Sequence, residues 1–382
     1  MKIALFTTSF PSNSETAVNA GACVKDFADS LTDLGHEVEV LTPYKRGARH
    51  DFRHANTTYF RWLGSEDSLS HLGKSPIGLL RLCSVALMGT VAGFRLLRRF
   101  RPDHVLCFWV FPCGLWARLA PPWIRAPYSL WALGSDIWDV GRRPGFSLIL
   151  RWLGRDARHL FADGLLLRNE FQTLVGRRVD FLATSRVLQV PAGAPKGAGG
   201  YYLFLGRYHP NKGIDLLIEA IGRAKDRLPP GFCLRAHGFG PLERHIRSRV
   251  QALGIESLVQ INGPSTRDVS TVLRLARGLI IPSRIESIPL VLSDGLQMGL
   301  PVMVTEVGDM GTLVRGYGAG LVCRPEIDDI AETLLRFVNW IPDQESGARL
   351  SELLDIRASA KRFLTDIEIE TQASSAKDAA TL

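Results

Sequence analysis

Short apolar runs rich in β-branched and aromatic residues alternate with longer segments of helical period along the whole 382-residue chain. This alternation restricts the fold more than any other feature, because strands that alternate with helices form parallel sheets covered by helices on both faces. We therefore predict an α/β protein built from βαβ units. The candidate strands are "KIALFT", "EVEVL", "HVLCF", "YSLWA", "VDFL", "YYLFL", "FCLRA", "LVQIN", "GLIIP" and "PVMV".

The segment "SRVLQVPAGAPKGAGG" interrupts this pattern near the middle of the chain. Pro191, Pro195 and several glycines break both the strand period and the helix period, as is typical of an interdomain linker. The chain is also long enough to bury more than one core. We predict two Rossmann-like domains, residues 1–190 and 191–382, that face a central cleft. Whether the last helix packs back on the N-terminal domain is left open.

Cysteine usage and the apolar runs narrow the class of protein. The six cysteines are scattered, with no Cys-x-x-Cys pair and no Cys/His spacing of a zinc site. No Asp-x-Asp pair is present that would hold a divalent ion, so we expect neither a metal nor another cofactor. The N-terminus shows no export signal, and the longest apolar run, residues 82–94, is shorter than the ~20 residues that a spanning helix needs. These observations predict a cytoplasmic protein without a membrane span.

The net charge of +8 is concentrated in the first half of the chain. Residues 1–195 contain 24 Lys and Arg against 16 Asp and Glu, whereas residues 196–382 contain 22 of each kind. A basic surface can attract an anionic membrane, nucleic acid or a phosphorylated substrate, of which we do not expect nucleic acid. A solvated helix face is the alternative. Between Ser68 and Pro102 the basic residues occur without any acidic one: Lys74, Arg81, Arg95, Arg98, Arg99 and Arg101.

Two cations stand in the turn of "YYLFLGRYHPNKGIDLLIEA", where a predicted strand is followed by a predicted helix. In open α/β sheets, ligands bind beyond the carboxyl ends of the strands, and a helix N-terminus favours anions. Arg207 and Lys212 in this position therefore indicate a diphosphate site. A pair of exposed surface cations is the alternative.

Two carboxylates follow a later strand in "IIPSRIESIPLVLSDGLQMGLPV". Glu286 precedes the predicted helix and Asp294 lies within it, so both carboxylates are expected to face its N-terminal mouth, where they would suit sugar hydroxyls. In the alternative, Glu286 caps the helix and Asp294 is a solvated polar residue. Glycine turns after two other strands, "RAHGFGPL" with Gly238 and Gly240 and "TEVGDMG" with Gly308, allow the backbone to approach a phosphate.

The order and spacing of these pieces resemble the retaining glycosyltransferases of the GT-B fold that are called group 1 or family four, over most of the chain. The similar motifs are "GR-x4-K-G" from Gly206 to Gly213, "G-x-GP-L" from Gly238 to Leu242 and "E-x7-E" from Glu286 to Asp294. The N-terminal "FPSNSETAVNAGACVKDFADSLTDLGHEVEVLT" and "RPDHVLCFW" resemble the family's opening strand, glycine loop, first helix and next junction. The departures are Asp294 at a usual glutamate, Leu133 at the histidine of an "HGSD"-like segment and Asp309 at a common glycine.

The resemblance implies that the second domain holds a nucleotide-sugar donor. In that case Arg207 and Lys212 bind the diphosphate, Asp294 contacts the ribose of the nucleoside, and Glu286 holds hydroxyls of the donor sugar. The resemblance also implies transfer with retention of configuration. The glycines assigned to the donor-binding loops are Gly21, Gly206, Gly238, Gly240 and Gly308.

The acceptor side is expected in the first half, which contains seven of the eight tryptophans. Aromatic faces suit sugar rings and membrane interfaces, although most tryptophans of a large α/β domain belong to its core. Asp136 and Trp138 are candidates for acceptor contacts, and a helix cap is the alternative for Asp136. Together with the acid-free basic segment, these residues favour a glycan or lipid-linked acceptor and a peripheral position on the inner membrane face.

We therefore predict a retaining glycosyltransferase that uses a nucleotide-diphosphate sugar in cell-surface polysaccharide or glycolipid synthesis. Two alternatives remain. One is a non-catalytic scaffold that binds a nucleotide sugar. The other is a nicotinamide-dependent oxidoreductase, since Rossmann-like domains serve many functions, but "KIALFTTSFPSNSETAVNAG" contains no Gly-x-Gly-x-x-Gly motif.

Overall fold

A computed structural model of the chain divides into two compact units. Unit 1 comprises Met1–Thr184 and Ile356–Leu382, and unit 2 comprises Ser185–Asp355. The division lies at the first residue of the predicted linker instead of residue 190. The structure describes residues 1–11, 21–44, 56–64, 76–141, 145–193, 195–264, 268–341 and 343–380.

Unit 1 is built on seven strands: β1 (Lys2–Phe6), β2 (Glu37–Pro43), β3 (Asn56–Phe60), β4 (His104–Phe108), β5 (Tyr128–Ala132), β6 (Leu160–Ala162) and β7 (Asp180–Phe181). They form one sheet in the order β3-β2-β1-β4-β5-β6-β7, and all pairings are parallel. The strands β1 and β4 lie side by side in the middle and are buried almost throughout, which explains why "KIALF" and "HVLCF" are apolar runs without polar alternation. The helices between these strands are α1 (Ala22–Asp33), α2 (Pro76–Phe100), α3 (Cys113–Arg118), α4 (Phe146–Arg155) and α5 (Leu165–Val175), with a π-helical turn at Asp136–Val140.

Helix α2 is the longest of these helices and packs one face into the core of unit 1. Leu82, Val85, Leu96 and Leu97 recur with helical period and are buried. Within the described residues, one segment, Ile77–Phe100, is long and apolar enough to cross a membrane by length and composition alone, with a mean hydropathy of 1.8. The apolar run predicted from the sequence ends at the arginines that flank residues 82–94, whereas the helix continues through them.

Unit 2 has a six-stranded parallel sheet formed by β8 (Tyr202–Leu205), β9 (Leu234–His237), β10 (Val259–Asn262), β11 (Gly278–Ile281), β12 (Val302–Thr305) and β13 (Gly320–Cys323). The strand order is β10-β9-β8-β11-β12-β13. Its helices are α6 (Ile214–Ala224), α7 (Glu243–Leu253), α8 (Val269–Leu275), α9 (Leu290–Gln297), α10 (Gly308–Tyr317), α11 (Ile327–Phe337) and α12 (Gln344–Leu353), and short 3-10 turns lie at Pro210–Lys212 and Lys225–Arg227. The predicted spacing of α6 is confirmed, since Ile214, Leu217, Ile218 and Ile221 are all buried.

The last helix, α13 (Ile356–Ala380), returns to unit 1 and packs against α1. Its Phe363 is fully buried, with ring centroids 5.8 Å from Phe27 and 6.1 Å from Phe161. Ser359 donates a hydrogen bond of 2.8 Å to the carbonyl of Ala183. The C-terminal helix is therefore part of the core of the first unit.

A buried histidine makes unit 1 sensitive to acid. His104 forms a 2.9 Å hydrogen bond with Ser129, and its ring lies 5.7 Å from that of Phe363. Burial, together with the charges of His159 and Arg158, lowers the pKa of His104 to about 3. Since an unfolded histidine has a pKa near 6.5, the unfolded chain binds the proton first as the pH falls, and this contribution to stability is lost between about pH 6.5 and pH 3.

We expect His104→Gln, which keeps a hydrogen-bonding side chain without titrating, to flatten the dependence of the free energy of unfolding on pH in that window. Urea unfolding at a series of pH values, followed by tryptophan fluorescence, measures this slope. Seven of the eight tryptophans lie in unit 1, so the signal reports mainly on that unit. His245→Gln, at an exposed position of α7, is the control. An unchanged slope in His104→Gln would contradict the prediction.

Candidate functional site in unit 2

The site is built where the chain changes direction across the sheet of unit 2. After β8 the chain continues to β9 on one side, and after β11 it continues to β12 on the other, while β8 and β11 are neighbours. Ligands of open α/β sheets bind beyond the carboxyl ends of the strands at such a switch point. The loops that follow β8 and β11 carry Arg207, Lys212 and Glu286.

Glycines allow these loops to pack backbone against backbone. Gly213 has φ = 68°, and a Cβ atom there would lie 1.8 Å from the carbonyl oxygen of Pro282. Gly308 has φ = 54°, and a Cβ atom would lie 2.0 Å from the carbonyl oxygen of Glu286. Only glycine combines this backbone conformation with such a close approach. The glycines of the predicted motifs therefore bring the loops after β8, β11 and β12 together.

The loop after β9 joins the same assembly. A Cβ atom at Gly238 would lie 1.9 Å from the carbonyl oxygen of Gly206, and one at Gly240 would lie 2.5 Å from that of Tyr208. The amide of Tyr208 donates to the carbonyl of Phe239 over 2.8 Å, and its buried hydroxyl donates to the carbonyl of Ala236 over 2.8 Å. Tyr208 thus anchors the cation-bearing loop to the neighbouring strand.

Lys212 and Glu286 form an ion pair across the switch point. Their side chains are 27% and 18% exposed, so both are accessible from one side. The sequence predicts that the two residues hold one ligand, but it does not predict that they bind each other. The ammonium and the carboxylate neutralise and orient one another.

Arg207 is the second cation predicted for the site, and it is exposed. Among the residues that the structure describes, its guanidinium has no hydrogen bond or ion pair. The loop beneath it is fixed, because the amide of Gly206 donates to the carbonyl of His237 over 3.1 Å. The guanidinium is therefore available to an anion at the carboxyl edge of the sheet.

Arg284 is a third cation of this region, and it was not among the predicted site residues. It donates to both carboxylate oxygens of Asp215, over 2.8 and 2.6 Å, and to the carbonyl of Pro210 over 2.7 Å. Burial favours the neutral acid, but the hydrogen bonds and the charge of Arg284 outweigh it and lower the pKa of Asp215. Arg284 clamps the β11 loop to the turn before α6. A basic residue after the strand in "IIPSRIE" was the only signal for it.

Asp294 is buried and does not lie with Glu286 at the accessible N-terminal end of α9. The expectation that both carboxylates face this end is therefore wrong for Asp294. It lies in the second turn of α9, is 1% exposed, and accepts hydrogen bonds of 2.9 and 2.5 Å from Arg186. Burial raises the pKa of Asp294, and the bonds and charge of Arg186 oppose that effect. While Arg186 holds both oxygens, Asp294 is not open to a ribose. The alternative of a solvated polar residue is also wrong.

Gly308 begins α10, close to the backbone of the β11 loop. The amide of Met310 donates to the carbonyl of Ser287 over 3.2 Å. Asp309, in the first turn of the helix, is 2% exposed, and the hydroxyl of Ser287 lies 3.4 Å from its carboxylate. The helix start thus lies beside Glu286, with an acidic residue in its first turn.

In unit 1, Gly21 lies at the corresponding switch point between β1 and β4, where it precedes α1. It has φ = 112°, and a Cβ atom there would lie 2.8 Å from the carbonyl oxygen of Ser9. The loop residues 12–20 before it, which are part of the predicted N-terminal motif, lie outside the described residues.

Asp136 has an internal role in unit 1 that differs from the predicted acceptor contact. It is 1% exposed and accepts hydrogen bonds from the amides of Val110, over 2.7 Å, and Leu133, over 3.2 Å. Burial raises its pKa to about 6, although these backbone bonds oppose the shift. The carboxylate joins the loops after β4 and β5. Trp138 is partly buried and packs against the unit 1 core, beside Gly134.

Models of known protein families match residues in both units. Residues 199–339 match the family described as "Glycosyl transferases group 1", and residues 20–184 match the "Glycosyl transferase 4-like domain". The two matches together take in about four fifths of the chain. An uncharacterized glycosyltransferase of Methanocaldococcus jannaschii is 30% identical over 244 residues, which are 62% of this chain and 66% of that protein. The chain spans about two thirds or less of the curated relatives it matches.

Solved structures with the same fold include a glycosyltransferase from Rickettsia africae, with a TM-score of 0.67 at 13% identity over 95% of this chain and 97% of that one. Anabaena HepE, in complex with UDP, gives a TM-score of 0.62 at 16% identity over 99% of this chain and 100% of that one. At these identities the likeness shows the fold, which is the two-domain GT-B fold. With this fold and both family matches in agreement, the chain belongs to the group 1 family of glycosyltransferases, a family of transferase enzymes.

Proposed function

We propose that this protein transfers a sugar from a nucleotide-diphosphate sugar to a hydroxyl acceptor, and that Arg207 and Lys212 hold the diphosphate. The observation that carries this proposal is the arrangement at the switch point of unit 2, where an available guanidinium stands on the same loop as a lysine paired with Glu286. Anabaena HepE, a structural neighbour, has been solved with UDP and with UDP-glucose, which supports the same class of donor here.

The charges fit the chemistry of sugar transfer. As the bond from the anomeric carbon to the diphosphate breaks, its electron pair goes to the departing phosphate oxygen. Preorganised cations stabilise this developing charge, and one such contact contributes on the order of 3 kcal/mol. We assign this role to Arg207 and Lys212. The acceptor oxygen then bonds the anomeric carbon, and its proton passes to the departing diphosphate.

Glu286 has a second role in this proposal. An arriving diphosphate competes for Lys212, and release of the ammonium leaves the carboxylate free to accept hydrogen bonds from hydroxyls of the donor sugar. The ion pair thus holds both side chains in place before the donor binds. Retention of configuration is the part of the proposal that rests on the family resemblance, and transfer without a metal or other cofactor rests on the lack of an Asp-x-Asp pair in the sequence.

Donor binding is tested by thermal shift with a panel of nucleotide sugars. At a concentration of 100 times the dissociation constant, the correct donor stabilises the protein by ~2.7 kcal/mol, which corresponds to a rise of roughly 5–10 °C in melting temperature for a unit of this size. We expect Arg207→Ala and Lys212→Ala to abolish most of this shift. Arg223→Ala, which removes an exposed arginine near the far end of α6, is the control. A full shift in both site variants would refute the assignment.

A non-catalytic nucleotide-sugar-binding protein is the second candidate, and the sequestered carboxylate of Asp294 favours it. The same panel, followed by assays of donor hydrolysis and of transfer to glycan and lipid acceptors, separates the two functions. Tight donor binding without turnover in any of these assays would support the second candidate.

A further inference from the structure

One face of α2 exposes large apolar side chains to solvent. Together with two arginines farther along the helix, they form a single stripe that we call the α2 stripe: Ile77, Leu80, Leu87, Met88, Val91, Arg95 and Arg98. Ile77, Leu80 and Leu87 are 65%, 60% and 59% exposed. Contiguous apolar surface of this kind marks an interaction site.

The α2 stripe changes character along the helix axis. Its first four turns expose apolar side chains, and its last two turns expose Arg95 and Arg98. In the described residues neither arginine has an ion pair, whereas Arg99 on the adjacent edge pairs with Glu39. The sequence contains no acidic residue between 76 and 102. The arginines of the stripe are therefore available to an external anion.

The surface continues beyond the helix. The amide of Leu63 donates a 3.0 Å hydrogen bond to Ser84, which lies within the apolar half of α2, and the Leu63 side chain is 62% exposed. The loop after β3 thus adds another apolar side chain beside the stripe.

Charge and polarity along the stripe match the depth profile of an anionic bilayer. Apolar side chains enter the acyl boundary, and arginines contact the headgroup phosphates. From Ile77 to Val91 the helix rises about 21 Å. An axial gradient of this length fits a helix whose N-terminal end lies deeper in the membrane than its arginine end. A protein partner would have to be both apolar and acidic along one groove to match it equally well.

Helix α2 does not cross the membrane in this arrangement, because its opposite face belongs to the core. A Cβ atom at Gly89 would lie 2.2 Å from the ring of Trp116, and one at Gly93 would lie 3.4 Å from that of Phe6. Leu96, Leu97 and Phe100 are buried with them. Crossing the bilayer would expose this core face to lipid and open the unit.

We propose that the α2 stripe docks unit 1 on the surface of an anionic lipid bilayer, where the enzyme glycosylates a lipid-borne hydroxyl. The docking is carried by the stripe itself, and the assignment of the acceptor rests on the proposed transferase function.

Flotation of the full chain with vesicles of phosphatidylcholine, with and without phosphatidylglycerol, tests the docking. We expect binding to the phosphatidylglycerol vesicles and an affinity lower on the order of tenfold for Arg95→Gln/Arg98→Gln at low salt. Leu80→Ser/Leu87→Ser should reduce binding at low and high salt alike, since salt does not screen apolar contacts. Leu148→Ser on α4 and Arg244→Gln on α7, both at exposed positions, are the matched controls.

Three results would overturn the proposal: no binding to anionic vesicles at low salt, equal loss in stripe and control variants, or resistance to alkaline carbonate extraction, which indicates a spanning helix. A change of oligomeric state in the stripe variants without a change in vesicle binding would also overturn it and assign the stripe to a second copy of the chain. Donor thermal shifts of the stripe variants keep the two proposals separable. In these variants, lost flotation with a normal donor shift is the expected result. In the unchanged chain, absent flotation with a normal donor shift refutes the docking alone, and normal flotation without any donor shift refutes the proposed function.

Discussion

Replacement of Lys212 by alanine is expected to lower kcat/KM for sugar transfer by about 10²–10³-fold, which is the effect of removing one preorganised group that stabilises developing negative charge. The variant loses the ammonium that we assign to the departing diphosphate. It also leaves the carboxylate of Glu286 unpaired beside an anionic donor, which adds repulsion. Steady-state kinetics with the donor identified by thermal shift measure the effect.

Two further variants separate these causes. Lys212→Arg keeps the positive charge and should recover part of the rate. Lys212→Ala/Glu286→Gln relieves the repulsion but does not restore the charge stabilisation. Its kcat/KM should therefore stay close to that of Lys212→Ala. A double variant that regains most of the activity would show that Lys212 acts only as a partner of Glu286. A loss below tenfold in the single variant would remove Lys212 from the chemistry.

Replacement of Arg186 by alanine is expected to reduce the free energy of unfolding of unit 2 by about 3–5 kcal/mol, as is typical when one partner of a buried ion pair is removed. The physical reason is that Asp294, which is 1% exposed, would keep its carboxylate inside the protein without the two hydrogen bonds from Arg186. Urea unfolding followed by the fluorescence of Trp340, the single tryptophan of residues 185–355, measures the loss.

A matched double variant tests the cause of that loss. Arg186→Met/Asp294→Leu removes both charges, and because desolvation of an ion pair offsets much of its attraction, this variant should recover most of the stability. A cost below about 1 kcal/mol for Arg186→Ala would show that the pair is solvated and that Asp294 remains available to a ribose. Donor affinity of Arg186→Ala, measured where the variant is folded, tests that availability directly.

Most of the fold could be predicted from local sequence pattern. All ten strands predicted from apolar runs are present, because a strand that is buried in a parallel sheet has a short apolar segment that can be recognised locally. The strands that were missed have weak local signals. The strand β3 reads "NTTYF" and is mostly polar, β6 has three residues, and β13 reads "GLVC" with a glycine at its start. These strands depend on the neighbour with which they pair.

The sequence by itself also placed Arg207, Lys212 and Glu286 beyond the carboxyl ends of strands, since each lies in the segment between a recognisable strand and the next helix. Tertiary structure alone decided which charges meet. Lys212 and Glu286 are 74 residues apart in the chain, and Arg186 and Asp294 are 108 apart. Such pairs depend on strand order and on the direction of each side chain, which periodicity does not encode. For the same reason, the sequence revealed a basic segment without acids, but only the packing of α2 showed which of its side chains face solvent.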